Sequence, residues 1–98
     1  MPINIIDFTN SKIGEKGTPL EVLSDGEWEL PAQVEALEEW LVINKDKIPK
    51  GTYVADIGFS PRKNALGGGP IITTKAMECM LHIGMELYLS EYPSTEDD

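Results

Sequence analysis

The sequence predicts an α+β domain: a sheet of about four strands with two helices packed on one face. Three observations lead there. Apolar and polar residues alternate from Tyr53 to Phe59 and again from Met85 to Leu89. Apolar residues recur at helical spacing in two stretches, Val34, Leu37, Leu41 and Ile48 in one, Ala76, Met77, Met80 and Ile83 in the other. The two kinds of element interleave as strand, possible strand, strand, helix, strand, helix, strand, or β-(β)-β-α-β-α-β.

The first strand is Ile3 to Phe8, rich in branched side chains. Thr9 to Thr18 holds Asn10, Ser11, Gly14 and Gly17 and reads as a loop. Leu20 to Leu23 is the possible strand. Ser24-Asp25-Gly26 is a turn, because Gly tolerates positive φ and Asp bonds its own backbone. Glu27-Trp28-Glu29-Leu30 alternates and predicts a half-buried strand, with Trp28 and Leu30 inward and Glu27 and Glu29 outward. Pro31 suits a first helical turn. The first helix then runs toward Pro49, with Trp40 at the margin of its stripe, acids early and Lys45 and Lys47 late, as the helix dipole favours. Tyr53 to Phe59 is the clearest strand. A loop from Ser60 to Pro70 follows. Thr73 or Thr74 caps the second helix, and Gly84 ends it in the left-handed conformation. Residues 1–93 read as a single compact domain, and 94–98 as an acidic frayed tail.

Charge narrows the partners. The 98 residues include 17 acids and 8 bases, a net charge of -9. Such a chain repels phosphate and anionic membranes and attracts basic proteins, so neither nucleic acid nor a membrane is an expected partner. The single Cys79 forms no internal disulfide, the N-terminus lacks a basic leader, and no apolar run approaches the ~20 residues of a membrane span. The expected location is the cytoplasm.

Four groups of residues are candidates for function. Gly67, Gly68 and Gly69, with Arg62 and Lys63, could cradle an anion at the start of the second helix. The spacing fits neither a phosphate-binding P-loop nor a dinucleotide fingerprint, so a flexible turn is the competing reading. Glu78, Cys79 and His82 lie on one helix, but no second His or Cys completes a metal site and nothing orients the pair for nucleophilic attack. The plainer reading is a semi-buried Cys and a surface His beside Glu78. Asp56 stands mid-strand, where Asp is uncommon, either as a base in a pocket or on the solvent face. No catalytic constellation, cofactor site or metal site emerges, and a non-enzyme is expected.

The fourth group is an acidic block. Glu21, Asp25, Glu27, Glu29, Glu35, Glu38 and Glu39 fall in a stretch with no Lys or Arg between Lys16 and Lys45. Either it is a solvated face, or it is a docking surface for a basic partner through Glu27, Glu29, Glu35, Glu38, Glu39 and Trp40. Trp28 and Trp40 flank the block, with core packing the alternative role for Trp28.

From Trp28 onward the chain resembles a bacterial family of small α/β domains of unknown function. The resemblance rests on the Trp28-x-Leu30 strand, Leu37-Glu38-Glu39-Trp40-Leu41, Ile57-Gly58-Phe59-Ser60, Gly68-Gly69-Pro70, the helix ending Ile83-Gly84, Leu87-Tyr88-Leu89 and Tyr92-Pro93. Some small acidic bacterial domains of this type act as immunity proteins beside secreted toxins. The resemblance implies no catalytic residues. With the charge, it points to an inhibitory protein that occludes a basic, nuclease-like toxin. The alternatives are a small-molecule or anion-binding domain built on Gly67–Gly69 and a non-catalytic scaffold subunit.

Overall fold

The computed structural model describes residues 2–12 and 14–93. The expected tail at 94–98 lies outside the described residues. Six elements follow in order: β1 (Ile3–Asp7), β2 (Thr18–Leu23), α1 (Leu30–Asn44), β3 (Tyr53–Phe59), α2 (Thr74–Ile83) and β4 (Met85–Glu91). They form an α+β fold with one four-stranded mixed sheet, ordered β2-β1-β3-β4.

β1 pairs antiparallel with both β2 and β3, and β3 pairs parallel with β4. A parallel pair needs a crossover, and α2 supplies it. One face of the sheet contributes Ile3, Ile5, Tyr53, Ala55, Ile57 and Met85 to the core. The helices cover that face with Val34, Leu37 and Leu41 from α1 and Ala76, Cys79, Met80 and Ile83 from α2. Residues 76, 79, 80 and 83 lie on one helical stripe. Met77 falls beside it and is exposed, so Cys79 takes the inward place expected of Met77. The possible strand at Leu20 to Leu23 is real and begins earlier, at Thr18.

The strand expected at Glu27–Leu30 does not form. Local bonds take its backbone instead: Glu27 N–H donates to Ser24 O, and Glu29 N–H donates to the Glu27 carboxylate at 3.0 Å. The place beside the end of β3 is held by Pro2, whose carbonyl accepts Gly58 N–H. From the 27–30 segment the Trp28 carbonyl reaches the residue after β3, accepting Ser60 N–H at 2.9 Å. Trp28 is accordingly exposed rather than in the core, its ring edge-on to Tyr92 with centroids 5.7 Å apart. Leu30 opens α1, with Glu29 as an N-cap that makes no side-chain capping bond.

α1 is also shorter than expected. It ends at Asn44, so Lys45 is its C-cap and Lys47 lies beyond it; no acid falls in its first turn. The dipole argument for this charge order therefore does not apply. α2 matches expectation closely. Thr73 Oγ1 accepts Ala76 N–H at 3.0 Å, and Gly84 closes the helix at φ 83°.

One polar side chain lies within the otherwise apolar inner side of α1. Gln33 is fully buried on α1, and its Nε2 donates to Glu27 O and to Gly58 O, each at 2.7 Å. It ties the helix to the entering turn and to β3.

Candidate functional site

α1 contains no Lys or Arg. Its acids therefore lack the i,i+4 cations that usually accompany exposed helical carboxylates. Glu35 and Glu39 are exposed, and Glu38 is half-buried. Among the described residues, no basic side chain lies within ion-pair distance of Glu29, Glu35, Glu38 or Glu39. Glu29 is exposed at the helix entry, whereas Glu27 is half-buried and turned back on its own backbone. Glu27 thus does not project from a strand beside Glu29. Trp40 is half-buried against the core and offers only part of its ring to a partner.

The helical period places Pro31, Glu35, Glu38, Glu39 and Val42 along one side of α1. That side faces Gly69, Pro70, Ile71 and Thr73, and the two walls enclose an open groove of about 780 Å³, which Ile43 also lines. Thr73 Oγ1 donates to Glu38 Oε1 at 2.7 Å and closes the groove at its base. Apolar surface is left open here: Ile71 is 78% exposed, Ile43 60% and Val42 43%. The acidic helix and the glycine loop, two separate candidates in the sequence, are brought together at this groove. Nothing local in the sequence signals that adjacency, because it arises from the packing of α1 on α2.

The glycine loop itself is already engaged. Arg62 Nη2 donates to Gly67 O at 2.9 Å. Glu29, Arg62, Gly68 and Gly69 line a second cavity of about 410 Å³, and Gly69 also borders the acidic groove. Gly67, Gly68 and Gly69 all have positive φ, as a tight turn requires. The start of α2, where an anion would sit, already faces the Glu38 carboxylate through Thr73. Carboxylates on this side oppose a second anion.

The catalytic candidates are dispersed. Asp56 is half-buried on β3 and accepts a hydrogen bond from Ser90 Oγ at 2.8 Å. Cys79 is buried in the core. His82 is exposed, and its Nε2 lies 3.6 Å from Asp46 Oδ1, so the acid it pairs with comes from the turn after α1 and not from Glu78, the partner expected from the helical spacing. Among the described residues no three His, Cys, Asp or Glu side chains are grouped to hold a metal. Among the same residues, no helix is long and apolar enough to cross a membrane. Comparisons with protein-family models, curated proteins and solved structures find no match to the chain.

Proposed function

We propose that this protein is a small inhibitory binding protein of the cytoplasm, an immunity protein that docks on a basic toxin and occludes its phosphate-binding surface. The observation that carries this reading is the uncompensated acidic side of α1. Glu35, Glu38 and Glu39 stand together without a cation on their helix and border an open groove. Repulsion among them weakens the free helix slightly, and a cationic partner relieves it. Occlusion needs shape and charge but no chemistry, which suits a domain in which Asp56, Cys79 and His82 stand apart from one another. The resemblance to small bacterial domains of unknown function points the same way.

Binding of a phosphate-like anion at Gly67–Gly69 is the weaker alternative. Arg62 favours it, but Arg62 is engaged with Gly67 and the flanking carboxylates oppose it. The test is inhibition of the polypeptide encoded beside this chain, across a salt series from about 50 to 500 mM. Inhibition that weakens with salt and is lost on combined Glu29→Lys, Glu35→Lys and Glu39→Lys supports the proposal. Full inhibition by that triple variant sinks it.

A further inference from the structure

The groove holds more apolar surface than a purely electrostatic contact would use. We infer that it receives a cationic amphipathic helix, with an aliphatic or aromatic anchor seated between Ile43 and Ile71 and Lys or Arg side chains against Glu35 and Glu39. This rests on the docking function proposed above and adds the class of partner segment.

Three features support that occupant. The first is charge complementarity. Glu35 and Glu39 are one turn apart and exposed, and every ionisable residue lining the groove is acidic. A segment bearing cations at i and i+4 matches that spacing. The second is the floor. Val42, Ile43 and Ile71 are exposed together and line one groove between the acidic side of α1 and the start of α2. Exposed apolar surface rimmed by polar groups is characteristic of an interaction site. The third is length. From Pro31 to Ile43 the helical wall runs on the order of 18 Å, which accommodates about three turns of a docked helix.

Glu38 has a different part. Its carboxylate is held by Thr73 at 2.7 Å and is half-buried, so it positions the two walls rather than meeting the partner's charges. A purely basic segment would contact only Glu35 and Glu39 and would leave the apolar floor wet. Seating an apolar anchor removes that surface from water, and this contribution persists at high salt.

The experiment compares two synthetic 14-residue peptides of identical Leu and Lys composition. In one, Leu recurs with the helical period; in the other, the order is scrambled. Each is titrated into the full-length protein, followed by amide NMR, at about 20 and 500 mM salt. The expected result is tighter binding of the amphipathic peptide by about tenfold or more, with shifts at 35–43 and 69–73. Its advantage should persist in high salt. The double substitution Ile43→Ser and Ile71→Ser should remove that advantage and leave the scrambled peptide unaffected. Both positions are exposed, so the fold should survive and circular dichroism should be unchanged. Equal affinity for the two peptides overturns the amphipathic inference while electrostatic docking stands. No binding of either peptide at low salt overturns both. Tight binding with shifts outside the groove overturns the assigned site.

Discussion

The Thr73 hydroxyl lies 2.7 Å from the Glu38 carboxylate while the same oxygen accepts the Ala76 N–H at 3.0 Å. One side chain therefore caps α2 and fastens α1 to it. The carboxylate sits near the positive end of α2, where a negative charge is favoured. This contact sets the spacing of the groove walls, so the N-cap has a tertiary as well as a local role.

Thr73→Val should cost more than an ordinary cap. Losing the cap alone removes about 1 kcal/mol. The bond to Glu38 should add about 0.5–1.5 kcal/mol. Thr73→Ser should retain most of both. A double-mutant cycle of Thr73→Val with Glu38→Ala, read by urea denaturation, measures the coupling directly. A coupling energy near zero would mean the contact does not fasten the walls.

Gln33 is the second fastening. Gln33→Ala would leave a cavity and remove the donor that Glu27 O and Gly58 O share. The expected loss is about 2–4 kcal/mol, a large part of the stability of a domain this size. Gln33→Glu should be worse, since it removes both donors and buries a charge. Gln33 Oε1 itself lacks a partner among the described residues. An apolar replacement of similar length, Gln33→Met, should therefore cost less than Gln33→Ala. Denaturant midpoints in that order, Met above Ala above Glu, are the check.

How much of this was legible in the sequence follows from the range of each signal. Thr73, Gly84 and the alternation of β3 are local, so chemistry within a few residues sufficed to place α2 and its flanking strands. The order β2-β1-β3-β4 was not legible, because antiparallel and parallel pairings satisfy the same alternation. Glu27–Leu30 alternates without forming a strand, because a four-residue alternation carries little information once the Glu27 carboxylate, Ser24 and Gln33 offer the backbone other partners. Gln33 left a faint signal: it precedes Leu37 and Leu41 by four and eight residues, on the inward side of α1. A polar residue on that side implied a buried amide with specific partners. The groove left none, since Glu38 and Thr73 meet only through helix packing.

Gly84 closes α2 at a point where backbone strain and a steric wall coincide. Its φ is 83°, and a Cβ there would collide with the Gly51 carbonyl oxygen. Gly51 N–H in turn bonds the Ile83 carbonyl at 2.9 Å. Gly84→Ala therefore meets both a strained dihedral and a backbone wall, and should lose at least about 2 kcal/mol. Gly26→Ala has a positive φ but no atom within 4 Å of the added methyl, so it should cost less. Thermal melts of the two variants distinguish strain alone from strain with collision.

Glu39→Lys should move stability and binding in opposite directions. In the free protein it replaces a like-charge pair at i,i+4 with Glu35 by an attractive one, with Glu on the N-terminal side as preferred. Each change is worth about 0.2–0.5 kcal/mol, so the variant should be more stable by a little under about 1 kcal/mol. It also reduces the net negative charge from -9 to -7, because an acid becomes a base. The same substitution puts a cation on the proposed docking side of α1 and should weaken association with a basic partner, chiefly through the on-rate and most strongly at low salt. A stabilised variant that binds less well would show that the bare acidic helix is kept for function at a cost in stability. A variant more stable and equally competent would assign Glu39 to the solvated surface, and the docking side would then shift toward Glu29 and Glu35.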